Sequence, residues 1–403
     1  KERVQKIIAA GATAVFTTKG IDDTALKYFV QGGVLAVRRV DSKDMKNLAK
    51  STGASIQITM GNMEGEEKFD KELWDQLVQM GLTATTIPEE YGGIGMGFLE
   101  LCVIAEELGR GIAPVPFSSS VYLATTAILN SSNEDIKKEF LPKLAGGEII
   151  GTFAHSEKTT FPSESGISVA AKSGKITGKK VAVPDGDIAN FALVSATSGK
   201  NKIGLYLVDL SADGVEIDSL ETFDPSRSHA DITFKNTPAQ ELSADAWEDI
   251  EKLLDQSAVL FAFEQVGGAE AAMNQAKDYA MGRYAFGRAI ASFQAIKHKV
   301  ADMYISLQLA RSNCYYGAWA LSNDAPELPT AAATARVSAT KAFYECSKEN
   351  IQTHGGMGAT WEFDCHLFYR RARLLSSNIG LSLIHISEPT RQEAISYAVF
   401  CLK

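Results

Sequence analysis

The strongest constraint in this chain is the order in which its apolar spacing changes. Residues 151 to 240 hold short β-rich runs, Lys179-Lys180-Val181-Ala182-Val183, Phe191-Ala192-Leu193-Val194 and Ile203-Gly204-Leu205-Tyr206-Leu207-Val208, separated by Gly, Asp and Ser turns. From about 247 the period becomes helical and stays so to about 380. Val300, Met303, Tyr304, Leu307 and Ala310 keep the i, i+3, i+4, i+7 spacing of a core-facing stripe. Ahead of the β run, Leu73 to Met80 and Phe98 to Leu108 read as amphipathic helices, the first ended by a left-handed Gly81 and the second by Gly109. Pro88 and Gly92-Gly93 mark irregular backbone between them. The expectation is a helical domain over 70–150, a β domain over 151–246 and a long-helix bundle over 247–380. Residues 5 to 60 follow a different pattern, with strands at Thr13–Phe16 and Val34–Val40 around a helix at Asp22–Gln31, and read as α/β structure.

Composition narrows the function. With 403 residues, 45% hydrophobic content and a net charge of −9, the chain affords a core and lacks the clustered cations that replace counterions on a nucleic acid. The cysteines Cys102, Cys314, Cys346, Cys365 and Cys401 are odd in number and widely spread, so neither a disulfide framework nor a metal site is expected. No apolar run is long enough to span a bilayer, and Lys1-Glu2-Arg3 opens no signal peptide. Neither nucleic acid nor membrane is an expected partner, and a cytoplasmic site, with the mitochondrial matrix as an alternative, is the expectation.

Two stretches resemble sequences foreign to the rest. Lys19-Gly20-Ile21-Asp22-Asp23, Leu26-Lys27-Tyr28-Phe29-Val30 and Leu35-Ala36-Val37-Arg38-Arg39-Val40, continued by Leu48 to Ala54 and Glu64 to Glu67, resemble the apical domain of group II chaperonins. That resemblance covers about 1–69, has no counterpart of the ATP-binding domain and implies no chemistry. Leu381 to Arg391 and Ile395 to Leu402 resemble the translation of a transposase adaptor and flow-cell primer used in sequencing libraries. Residues 381–403 are therefore set aside, and the chain is expected to be a chimaera whose middle part lacks its own last helix.

The middle part resembles the acyl-CoA dehydrogenase family. The motifs are Ile87-Pro88-Glu89-Glu90-Tyr91-Gly92-Gly93, Arg283-Tyr284-Ala285-Phe286-Gly287 with Ser292 to His298, and Gln352-Thr353-His354-Gly355-Gly356-Met357-Gly358. The resemblance, over about 70–380, implies a helical domain, a β-barrel middle domain and a C-terminal helical bundle. It also implies flavin adenine dinucleotide (FAD), an acyl-CoA substrate oxidised to the trans-2-enoyl-CoA, and an electron-transfer flavoprotein as acceptor. Arg283, Phe286, Gln294, Gln352, Gly355 and Gly356 would contact flavin nucleotide held mainly by a neighbouring subunit, so a homo- or hetero-oligomer is implied. A guanidinium forks onto two pyrophosphate oxygens, amides suit the polar edges of a nucleotide, and glycine lets backbone approach.

Departures from the family pattern matter as much. The general base of one branch corresponds to Ser257 and that of the commoner branch, counted from Arg371-Ala372, falls on Ile379-Gly380. Neither is an acid. Glu264, two turns along the same helix face from Ser257, is the nominated carboxylate. Where the family carries Thr-Glu-Pro the chain has Ser156-Glu157-Lys158, so Ser156 is the ring-site candidate, and the tryptophan that covers the flavin corresponds to Val181. These losses resemble branches that work as two-subunit complexes on steroid side-chain or other bulky acyl-CoAs, and the alternative expectation is a non-catalytic partner subunit. His298, His354 and His366 are expected to support structure.

Overall fold

The computed structural model describes residues 11–17, 23–40, 69–158, 163–198 and 202–380, with Val4, Ile7, Ile8 and Ile21 besides. Leu48 to Ala54, Glu64 to Glu67 and the 381–403 tail lie outside the described residues. The chain divides into two units, Lys1–Lys68 and Phe69–Lys403.

In the first unit β1 (Ala14–Phe16) and β2 (Leu35–Val37) pair in parallel, joined by α1 (Asp23–Gln31). Parallel neighbours need a crossover between them, and the helix supplies it. Its core is small, comprising Val4, Ile7, Phe29 and Val34.

The second unit begins with α2 (Lys71–Gln79), where the Asp70 side chain accepts from Leu73 N at 2.9 Å. An N-cap carboxylate of this kind satisfies one of the orphan donors of the first turn. Gly81 follows at φ 74, left-handed as its position in the sequence suggests. The second expected stop is different. Helix α3 (Phe98–Arg110) runs through Gly109, because that glycine marks a helix crossing. A Cβ at Gly109 would stand 1.8 Å from Glu264 O, and one at Gly267 would stand 1.8 Å from Glu106 O. The two backbones touch reciprocally, which only glycine permits. After a buried π-helical turn, Ser118–Thr125, come α4 (Thr126–Asn130) and α5 (Glu134–Ala145).

The β domain holds β3 (Gly151–Ala154), β4 (Ala170–Lys172), β5 (Lys175–Pro184), β6 (Phe191–Thr197), β7 (Ile203–Asp209), β8 (Val215–Leu220), β9 (His229–Pro238) and β10 (Gln240–Ser243). They form one eight-stranded sheet ordered β10-β7-β6-β4-β5-β9-β8, with β3 parallel to β6. The expected barrel is corrected by this order: among the described residues the end strands β10 and β8 do not pair, so the sheet stays open. Its weakest seam is the single pair Ala170↔Thr197 between β4 and β6. The strand β5 shifts register between Lys180 and Val183, with Ala182 at φ 49. Such a bulge re-aims the neighbouring side chains.

The bundle consists of α6 (Trp247–Gly282), α7 (Gln294–Ser322), α8 (Leu328–His354) and α9 (Cys365–Ser377). Met303, Leu307 and Ala310 of the expected stripe are buried, whereas Tyr304 is 54% exposed and lies off the core face. A hairpin of β11 (Tyr284–Ala285) and β12 (Arg288–Ala289) joins α6 to α7, with Phe286 and Gly287 at φ 54 and 77 in its turn.

Candidate active site

A cavity of about 1560 Å³ opens between the sheet and the bundle. Its sheet wall includes Phe153 of β3, His155 and Ser156 just after it, and Val181 to Pro184 of the β5 bulge. The bundle wall includes Trp247, Leu254 and Asp255 of α6, Leu374 of α9, and Asn378 to Gly380 beyond α9. Val181 N donates to Ser156 O at 2.8 Å, so the bulge holds the segment that follows β3. A second cavity, of about 480 Å³, is lined by Tyr279, Arg283, Ile290 and Thr353 to Met357.

The residues singled out from the sequence divide between these cavities. Ser156 lines the first. Arg283, Gly355 and Gly356 meet in the second, just past the C-terminal ends of two different helices, α6 and α8. Gly355 has φ 64 and ψ −141, a conformation that strains any L side chain, and a Cβ on either glycine would meet nothing within 4 Å. Bare backbone thus faces open space beside a guanidinium that makes no ion pair among the described residues. His354 walls the pocket, its Nδ1 against Asn350 O at 2.9 Å and its ring stacked on Tyr279 with centroids 4.0 Å apart. Phe286, at positive φ and 96% exposed, touches Phe293 edge-on with ring centroids 6.4 Å apart, and Gln294 and Gln352 are also exposed.

Glu264 is absent from the lining of either cavity. It is 3% exposed, and Arg371 Nη1 donates to its Oε1 at 3.4 Å. Arg371 also donates to Asp224 Oδ2 at 2.7 Å, Ser226 Oγ at 2.8 Å and Ala113 O at 3.3 Å. Burial raises the Asp224 carboxyl, but the Arg371 charge and the Ser226 hydrogen bonds outweigh it and hold the group below the usual carboxylate range. Ser257 also turns away, donating to Tyr122 O at 3.1 Å, while Ile379 and Gly380 do line the large cavity but carry no acid.

Two titratable groups escaped the reading of the sequence, Asp255 on the large cavity wall and Lys180 next to the wall residue Val181. Lys180 is fully buried and paired with Glu157 at 2.8 Å. Strand parity could have found it, since Lys180 shares the inward phase of Ile176. Asp255 is half-buried, and burial with the Glu251 charge pushes its carboxyl up to about 6. The other acids on that wall, Glu221, Glu248, Glu251 and Asp324, are exposed. The folded state favours protonated Asp255, so its share of stability is lost as pH rises from 3.8 to about 6. Asp255→Asn is expected to stabilise the fold by about 2 kcal/mol at pH 8 and negligibly at pH 3.5, read from urea unfolding. An equal effect at both pH values contradicts this.

Residues 245–388 match the acyl-CoA dehydrogenase C-terminal domain family and 48–148 the acyl-CoA dehydrogenase N-terminal domain family. Residues 1–90 match the TCP-1/cpn60 chaperonin family, so two families claim the stretch around 48–90. The chain is 34% identical over 329 residues to acyl-CoA dehydrogenase IpdE2 of Mycobacterium tuberculosis, covering 81% of this chain and 87% of the relative. Among solved structures it resembles the ChsE4–ChsE5 complex of Mycobacterium tuberculosis, with TM-score 0.75, 25% identity and coverage of 82% of this chain and 90% of that one. It also resembles the Tcur3481–Tcur3483 steroid acyl-CoA dehydrogenase, with TM-score 0.74, 26% identity and coverage of 89% and 98%. At 34% identity to a relative it covers to 87%, and with both domain families matched, the chain belongs to the acyl-CoA dehydrogenase family.

Proposed function

We propose that residues 69–380 carry out flavin-dependent α,β-dehydrogenation of an acyl-CoA thioester to the trans-2-enoyl-CoA, as one subunit of an oligomer. The observation that supports this is the division of the motif residues over two cavities. Ser156 and the apolar wall belong to the large one, whereas Arg283, Gly355 and Gly356 belong to the small one. FAD fits that donor set, and when bound it supplies the acceptor for the hydrogen leaving the β-carbon. Arg283 would fork onto the pyrophosphate of a cofactor held mainly by a neighbouring subunit, and Gly355 and Gly356 would let backbone close on its nucleotide. Phe286, Gln294 and Gln352, exposed on this chain, would reach the cofactor of a neighbouring subunit. An electron-transfer flavoprotein is the proposed electron acceptor.

The large cavity would exclude water and seat the acyl chain. At about 1560 Å³ it exceeds the roughly 300–1000 Å³ of ordinary ligand pockets, room for a flavin ring beside Ser156 together with an acyl chain. The Tcur3481–Tcur3483 relative is a steroid acyl-CoA dehydrogenase, and a polycyclic acyl-CoA is the substrate class proposed here.

One observation favours a second reading. Glu264, held by Arg371 outside the cavity, is proposed to be structural, and Ser257, Ile379 and Gly380 supply no base. The chain would then bind nucleotide and support a catalytic partner, as the two-chain ChsE4–ChsE5 relative suggests. Anaerobic mixing of the FAD-loaded protein with straight-chain and polycyclic acyl-CoAs separates the two. Loss of the yellow flavin absorbance with the lone chain supports the enzyme. Loss only with a co-purified second subunit supports the partner, and failure to hold flavin in either form overturns both.

A further inference from the structure

Lys180 Nζ sits among three acceptors, one of them the carbonyl of the cavity-lining His155. It donates to His155 O at 3.0 Å, Glu157 Oε1 at 2.8 Å and Ser195 Oγ at 3.1 Å, and its side chain is wholly buried. Three acceptors consume the three N–H bonds of an ammonium. Because the Ser195 oxygen accepts from Lys180, its own proton is free to point elsewhere, and His155 Nδ1 lies 2.9 Å away. Ser195 is placed to donate to Nδ1, an arrangement in which the imidazole carries its proton on Nε2.

We propose that Lys180 is a positioning residue of this site: through the Ser195 hydroxyl it fixes the cavity-lining His155 in the Nε2–H tautomer for as long as the lysine is charged. A neutral amine has two N–H bonds and one lone pair. A lone pair aimed at a carbonyl or carboxylate is repelled, so only the Ser195 contact can reverse. Ser195 then donates to Nζ, and His155 must donate to Ser195. The imidazole gives up its Nε2 proton and takes one up on Nδ1, with no net change in its charge. One proton, that of Lys180, leaves the protein.

Burial pulls the Lys180 ammonium down to about 8 against the opposing Glu157 charge, and burial with the Lys180 charge keeps His155 neutral. The charged or titratable groups facing Lys180 are His155 and Glu157 after β3; β6 offers only Ser195, and Asp231 on β9 is taken by Lys179 at 2.8 Å. Glu157 keeps Ser168 N at 2.8 Å and Val169 N at 3.1 Å as donors whatever the state of Lys180.

The inference rests on the proposed site for its consequence, since Ser156 follows His155 on the same wall, but its test needs neither flavin nor substrate. The full chain, labelled with ¹⁵N-histidine, would be followed by long-range ¹H–¹⁵N correlation between pH 6 and 10, with His155→Gln identifying the signal. The expected result is Nε2–H at pH 7, passing to Nδ1–H as Lys180 titrates. Glu157→Gln should move that midpoint to lower pH by one unit or more, and Lys180→Arg, charged throughout, should abolish it. Nδ1–H at pH 7, an unchanged tautomer up to pH 10, or a midpoint indifferent to Glu157→Gln would overturn the proposal. If Lys180→Arg does not fold, the wild-type and Glu157→Gln profiles decide it alone.

Discussion

Arg371→Met is expected to lower the stability of the folded chain by about 4 kcal/mol, the largest loss from any single side chain in the buried polar layer. Arg371 is 1% exposed and bridges α9 to Asp224, Glu264 and the carbonyl of Ala113. Methionine fills much of the volume but leaves two buried carboxylates without their cation, and the desolvation already suffered by both is no longer offset. Arg371→Lys should recover little of the loss, because an ammonium cannot reproduce the planar fork that reaches Asp224 and Ser226 together. The pH dependence should change as well. With its carboxyl held low, wild-type Asp224 contributes stability above the unfolded value of 3.8 that is lost as pH falls through and below it. In Arg371→Met that contribution disappears and acidification should become stabilising. Urea unfolding at pH 7 and pH 4 measures both effects, and a loss under 1 kcal/mol with an unchanged pH slope contradicts the network as described.

Gly267→Ala is expected to cost about 3 kcal/mol, against the direction that helix propensity alone would give. In an isolated helix alanine is favoured over glycine by about 1 kcal/mol. Here the new Cβ would stand 1.8 Å from Glu106 O and 2.9 Å from Arg110 N, and a backbone carbonyl cannot rotate aside. Helices α3 and α6 must separate, which also strains the ion pairs that tie them: Arg110 to Glu270, and Arg311 to Glu106 at 2.8 Å and Glu270 at 3.0 Å. Overpacking of this kind costs about 1–3 kcal/mol and more where nothing can yield. A neutral or stabilising result in thermal unfolding would show that the crossing has room it is not described as having.

What was legible in the sequence follows from which interactions are local. Period 2 and period 3.6 are set by neighbours on one element, so the β run at 151–240 and the helices after 247 were readable, as was the left-handed Gly81. Gly109 was misread because the letter is the same whether glycine ends a helix or admits another backbone against it; only Gly267, more than a hundred residues on, tells the two apart. Closure of the β domain was also illegible, since it depends on whether β10 and β8 meet. Arg283, Gly355 and Gly356 were found through their motif, and the structure brings them to one pocket. Glu264 was placed on the correct helix, but its partner Arg371 lies across the sequence and converts an apparent cavity acid into a buried ion pair. Lys180 shows the converse: strand parity pointed it inward, and its lysine identity argued for the surface.

The most direct test of the central claim is the flavin content per chain of purified wild-type and Arg283→Ala protein, each checked for fold by circular dichroism. The account predicts that the wild type retains flavin as an oligomer and that Arg283→Ala, equally folded, binds it about a hundredfold more weakly, since a charge-assisted bidentate contact contributes about 3 kcal/mol. Equal flavin content in the two proteins would contradict it.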